Sequence, residues 1–123
     1  MGKLVRDRVI EIISGKGEIP HWHKIKDDKE FLEKLLDKLF EETHEVIGSK
    51  TPDERLLECV DVAEVLFAII RLQKVTLRQF VRVLLGERMK RGSFKKRTFL
   101  DSVEASTARP GRDGYHVFPR GHA

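Results

Sequence analysis

The most constraining feature of this sequence is an apolar segment from Leu56 to Leu72 in which acids recur at every third position. Apolar residues lie nearly all round its helical wheel, which is typical of a helix with little surface in water. Glu58, Asp61 and Glu64 interrupt it as a single acidic stripe. An unpartnered carboxylate in such a place either takes up a proton or meets a cation, because desolvating the isolated anion is costly. The segment therefore predicts a buried helix that carries an acidic site.

Capping signals place four helices and no strand along the first hundred residues. Thr51, Pro52 and Glu54 combine a cap, a first-turn proline and a capping box, and Thr76 and Gln79 repeat the box spacing. The predicted helices run from Val5 to Ser14, from Asp27 or Asp28 to Gly48, from Thr51 to about Gln73, and from Thr76 to near Arg91. Their short connections predict an all-α antiparallel bundle of about four helices.

Length and composition predict a single domain with a tail. The 123 residues suit one domain, which we place at residues 1–101, followed by a Gly/Pro/Arg-rich tail at residues 102–123 that is mobile or laid on a partner. The third helix has apolar surface on more sides than one small chain can cover, so we expect a homodimer or a higher homo-oligomer. No apolar run is long enough to span a membrane, and the start does not resemble a signal peptide, so we expect a cytoplasmic protein.

A second set of acids lies on the predicted second helix. Glu42 falls inside the edge of that helix's apolar arc, Glu45 lies one turn further on and just outside it, and Glu41 is beside them. A short turn between the two helices brings these acids within reach of Glu58 and Asp61. The alternative is a solvated acidic face.

Oxygen ligands without histidine or cysteine favour a hard cation, Mg²⁺ or Mn²⁺, over zinc. The only cysteine, Cys59, lies in the apolar helix and is expected to be a buried thiol. Magnesium keeps bound waters and recruits substrate phosphates. The pattern therefore favours phosphate-ester or phosphoanhydride chemistry.

The acidic motifs resemble those of a known family. Residues 41–45 read Glu-Glu-Thr-His-Glu, twelve residues follow, and residues 58–61 read Glu-Cys-Val-Asp. This pattern resembles the MazG-like all-α nucleoside triphosphate pyrophosphatases, which include phosphoribosyl-ATP pyrophosphohydrolases and dimeric dUTPases. Residues 3–8 and 90–97 look like a subgroup described as predicted house-cleaning pyrophosphatases of noncanonical nucleotides. That subgroup usually has a proline where this chain continues with residues 9–11, and residues after 100 are outside the resemblance.

The resemblance implies a Mg²⁺-dependent reaction, in which Mn²⁺ can substitute, that cleaves the α-β phosphoanhydride of a nucleoside triphosphate to a monophosphate and pyrophosphate. It assigns metal coordination to Glu42, Glu45, Glu58 and Asp61, matched position by position. Glu41 would be a neighbour that orients bound water, and it is our candidate for the general base. The expected catalytic set is Glu41, Glu42, Glu45, Glu58 and Asp61.

Cations are expected to grip the departing pyrophosphate. Arg6 and Lys95 are the leading candidates, although each such residue can equally be an ordinary surface charge. The full set of substrate-binding candidates is Lys3, Arg6, Lys90, Arg91, Lys95 and Arg97.

Several residues leave alternatives open. His44 falls on the polar back of its helix and is expected at the surface. His21 and His23 flank Trp22, and we expect a loop packed around the tryptophan; the alternatives are a lip that recognises a base and a chance metal-binding pair of histidines. The rival functions are phosphoribosyl-ATP hydrolysis by the same acids and a non-enzymatic helical module that binds nucleic acid through its basic end.

Overall fold

The structure, a computed structural model, describes residues 2–106 and is all-α in that range. The helices are α1 (Val9–Gly15), α2 (Asp28–Gly48), α3 (Pro52–Leu72) and α4 (Leu77–Arg91). No strand occurs among the described residues, so the predicted all-helical class is confirmed. The predicted tail lies outside the described residues from residue 107 onward.

The chain divides into two compact units. The first ends at Arg91 and contains all four helices, and the second begins at Gly92. Within the second unit, the Arg97 N–H donates to the Phe94 carbonyl at 3.1 Å and closes a turn. No helix in residues 2–106 has the length and hydropathy that crossing a membrane would demand. The predicted domain boundary after residue 101 stays a prediction.

The long helices begin where their caps were predicted. The Asp27 side chain accepts a hydrogen bond from the Glu30 N–H at 2.9 Å at the start of α2. Thr51 does the same for the Glu54 N–H at 3.1 Å at the start of α3. The Glu54 carboxylate, however, accepts from the Lys50 N–H at 2.6 Å instead of closing the box on Thr51.

A tight turn connects α3 to α4. The Val75 N–H donates to the Ile70 carbonyl at 3.0 Å, which satisfies one of the free carbonyls at the end of α3. This closure requires a left-handed residue, and Lys74 occupies that position with φ 65°. Thr76 and Gln79 then exchange hydrogen bonds of 2.8 and 3.1 Å as the predicted capping box.

Helix α1 begins later than predicted. The expected start was Val5, but residues 2–8 are outside the helix and α1 begins at Val9. Within this non-helical segment Arg6 donates to Asp61 on α3 at 2.9 Å, a long-range contact that local helical periodicity does not predict. The end of α1 is as predicted, with Gly17 in the left-handed region at φ 85°.

The centre of the fold is an antiparallel hairpin of α2 and α3. Helix α3 also contacts α4, whereas α1 packs against none of the other described helices. Only Leu35 of α2, 3% exposed, and Val65 of α3, 7% exposed, are buried among the described residues. The core of the single chain therefore lies at one seam between two helices.

The prediction that α3 is a buried helix is wrong for the single chain. Only α2 covers it along its length, and one neighbour shields one face of a helix. Cys59, expected to be a buried thiol, is exposed. The large apolar residues of α3 that remain exposed are Leu56, Leu57, Val60 and Leu66.

We expect Lys74→Gly to stabilise the protein by about 0.5 to 1 kcal/mol, because relief of left-handed strain exceeds the entropy that glycine adds to the unfolded chain. Urea unfolding followed by circular dichroism measures this change. Lys74→Ala is the matched control, since it removes the same side chain but keeps the Cβ atom and should give no gain. Equal gains in both variants would mean that the lysine side chain, and not the backbone, is unfavourable.

Candidate functional site

Three of the four predicted ligands meet at the α2–α3 seam. Glu42 comes from α2, while Glu58 and Asp61 come from one face of α3, where a spacing of three residues aligns them. One carboxylate oxygen from each lies within 4.8 Å of the others, and all three residues are half-buried. We call these three residues the acidic cluster.

The other two predicted acids lie beside the acidic cluster. Glu45 is exposed and outside the group of three, but its negative charge acts on Glu58. Glu41 is exposed and lies 3.4 Å from the ammonium group of Lys38. The structure thus separates a close triad from two flanking carboxylates.

Glu58 is the residue on which the crowding acts most. Partial burial raises the pKa of its carboxyl above the ordinary value of 4.5, because desolvation disfavours the charged form. Neighbouring negative charges raise the pKa further, in the order Glu45, Asp61, Glu42 and Glu54. The site therefore favours any positive charge that can enter it, whether a proton or a cation.

Lys38 supplies one such charge from within α2. Its Nζ lies 3.4 Å from a carboxylate oxygen of Glu41 and 3.4 Å from one of Glu42. The side chains of Lys38 and Glu42 are only 16% and 12% exposed, so each would be costly to leave unpaired. Sequence reasoning did not single out Lys38, although its spacing of three and four residues from the two acids was a usable signal.

Arg6 supplies the second charge from a distant part of the chain. Its guanidinium donates to Asp61 Oδ1 at 2.9 Å across 55 residues of sequence. Both side chains are partly exposed, and such a pair contributes no more than about 1 kcal/mol. Arg55, which precedes Glu58 by three residues on α3, donates to the Ser49 hydroxyl at 3.1 Å.

For the other predicted cations, the described contacts lie away from the acidic cluster. Lys90 and Arg91 pair with Glu87 on their own helix, at 4.0 and 2.7 Å. Lys3 lines an open groove along the N-terminal segment. The two candidates in the second unit are Lys95 and Arg97.

The donor set of the acidic cluster suits a hard divalent cation. It consists of carboxylate oxygens alone, which favour Mg²⁺ or Mn²⁺ over zinc or copper. His44 contributes no nitrogen to it, since its exposed ring lies edge-on to Phe40 with centroids 5.3 Å apart. Two cations already pair with its carboxylates: Lys38 with Glu42 at 3.4 Å and Arg6 with Asp61 at 2.9 Å.

The chain matches no family model, no curated protein and no solved structure. The resemblance to MazG-like pyrophosphatases therefore stays a prediction from the two acidic motifs.

We expect Glu58→Gln to raise the melting temperature at neutral pH without metal. The folded state binds the Glu58 proton more tightly than the unfolded chain does, so the contribution of Glu58 to stability is fully present below pH 4.5. It falls as the pH rises through the raised pKa, because the unfavourable charge then forms. The gain from Gln should accordingly vanish in acid, as a pH series of thermal melts would show.

Glu33→Gln is the control for this measurement, since Glu33 is an exposed acid on α2 outside the acidic cluster. It should leave the melting temperature nearly unchanged at both pH values. A Glu58→Gln variant that is less stable than the parent at neutral pH would refute like-charge crowding at this site.

Proposed function

We propose that this chain is a Mg²⁺-dependent nucleoside triphosphate pyrophosphohydrolase that acts on noncanonical nucleotides in the cytoplasm. The observation that carries the proposal is the acidic cluster, three carboxylates from two helices within 4.8 Å of one another. Two facts support it. Desolvation and the neighbouring carboxylates raise the pKa of Glu58, and the Arg6 guanidinium donates to Asp61 Oδ1 at 2.9 Å.

In this proposal Glu42, Glu58 and Asp61 hold the magnesium, and Glu45 adds negative charge beside Glu58. Magnesium, when bound, neutralises phosphate charge and acidifies water. Lys38 pairs with Glu42 at 3.4 Å and offsets part of the negative charge around it. Arg6 can leave Asp61 at small cost, because the pair is partly exposed, and its guanidinium then suits a phosphate oxygen.

The proposed reaction adds the oxygen of a water molecule to the α-phosphorus and breaks the bond between that phosphorus and the α-β bridging oxygen. The products are a nucleoside monophosphate and pyrophosphate. A carboxylate must take the proton of the water. We assign this role to Glu41, which is outside the triad and close to Lys38.

The proposal includes a homodimer formed through the apolar faces of the hairpin. Phe40 is 70% exposed and Ile47 is 74% exposed on α2, although both belong to its predicted apolar arc. Exposed leucines and a valine continue this apolar surface on α3. A second copy of the same hairpin would bury these faces and complete a four-helix arrangement.

We expect Glu42→Gln and Asp61→Asn each to lower pyrophosphate release by about 100-fold or more, because each removes a charged oxygen from the proposed magnesium site. Release is measured with Mg²⁺ on a panel of canonical and modified nucleoside triphosphates and phosphoribosyl-ATP. The matched controls are Glu33→Gln and Asp37→Asn, exposed acids of α2 away from the acidic cluster.

Full turnover in both cluster variants would remove the proposed site. Cleavage of phosphoribosyl-ATP alone would replace the proposed substrate class with that narrower one. Absence of release from every substrate, together with salt-sensitive binding to DNA or RNA, would favour the nucleic-acid module instead.

We expect a dimer at micromolar concentration in light scattering, and a shift towards monomer or loss of helicity in Phe40→Asp. A charge on the buried face of a dimer would be desolvated without a partner. Ile19→Asp is the matched control, because Ile19 is an equally exposed apolar residue in the loop after α1. A monomeric parent protein with native helicity would contradict the dimer.

A further inference from the structure

An open groove of about 1350 Å³ lies in the first unit, and one of its lining residues is Arg6, which also contacts the acidic cluster. It is bounded by the N-terminal segment, α1, the loop after α1 and the first turns of α2. Trp22 belongs to its lining and is 57% exposed. The loop around Trp22 therefore does not bury the indole ring, and much of this aromatic surface is accessible to a ligand.

The charge of the groove indicates which part of a ligand it suits. Its lining holds four cations and three acids, so the charges nearly cancel, and it also holds His21 and His23. A groove for a polyphosphate would carry a clear excess of positive charge. Near-neutral walls with an exposed indole and two imidazoles suit a flat, uncharged, hydrogen-bonding group instead.

Arg6 connects the groove to the acidic cluster. It lines the groove and also donates to Asp61 at 2.9 Å. A ligand in the groove can therefore extend past Arg6 to the carboxylates. A molecule that fits the sequence of groove, Arg6 and acidic cluster has an aromatic heterocycle at one end and a metal-binding polyanion at the other.

We propose that this groove binds the base and sugar of the nucleoside triphosphate, with Trp22 stacking on the nucleobase. The inference rests on the proposed function, because it places the triphosphate at the acidic cluster. His21 and His23 offer nitrogen donors and acceptors to the edge of the base or to the sugar hydroxyls. A second copy of the chain is the poorer occupant, since the dimer proposed above uses exposed apolar residues of α2 and α3 that do not line the groove.

Trp22 is the only tryptophan in the chain, so its fluorescence reports on this groove alone. The probes are the α,β-methylene analogues of a panel of canonical and modified nucleoside triphosphates, the corresponding free nucleosides, and inorganic tripolyphosphate, each with Mg²⁺. At least one analogue and its nucleoside should quench the emission, and tripolyphosphate should not. Quenching by tripolyphosphate to the same extent, or by no nucleotide, would overturn the inference.

Kinetic variants give a second, independent readout. Trp22→Ala should raise KM for the preferred triphosphate about tenfold or more with little change in kcat, which is the scale of base stacking on an aromatic ring. Trp22→Phe should keep KM within a few-fold, because phenylalanine still presents a ring. Phe99→Ala is the control, an exposed aromatic residue of the second unit.

The two proposals fail separately. Pyrophosphate release with an unchanged KM in Trp22→Ala would overturn the groove and leave the proposed function standing. Nucleoside-dependent quenching without any pyrophosphate release would overturn the proposed function and leave a nucleoside-binding groove. Emission that changes with protein concentration but not with nucleotide would show that a second copy covers Trp22, which overturns the inference.

Discussion

Repulsion among carboxylates at the α2–α3 seam is the constraint to which the surrounding structure responds. Three of them lie within 4.8 Å of one another, so their negative charges repel one another. Three features of the structure accompany this repulsion. The pKa of Glu58 rises, Lys38 pairs with Glu42 from one turn away on α2, and Arg6 pairs with Asp61 from the N-terminal segment. The course of residues 2–8 is thus tied to the electrostatics of the hairpin.

The hairpin positions these acids but supplies little core of its own. Leu35 and Val65 are its only buried residues in the described range, so hydrophobic burial within one chain is small. Burial of the exposed faces of α2 and α3 by another copy would fix the separation of the two helices. The spacing of the carboxylates, which α2 and α3 contribute jointly, would then depend on assembly as well as on the hairpin turn.

The sequence predicts the parts of this structure that depend on local chemistry. Thr51 and Thr76 mark the starts of α3 and α4 because capping is decided within one turn. Helical periodicity likewise aligns Glu58 with Asp61. The late start of α1 was not predictable in this way, because it accompanies the contact of Arg6 with a residue 55 positions away. The exposure of α3 was not predictable for a related reason. An apolar composition predicts that a helix will be buried, but it does not identify the surface that buries it.

The guanidinium on Asp61 also has a consequence for selectivity among ions. An ion that binds Asp61 Oδ1 in the proposed site would displace the Arg6 guanidinium, which carries one positive charge and donates to that oxygen at 2.9 Å. Sodium or potassium would exchange one unit of charge for another, with no electrostatic gain to offset dehydration. A small doubly charged ion adds a net unit to a surplus of anions. At the proposed metal site, competition with Arg6 would therefore favour a divalent ion over the abundant monovalent ones.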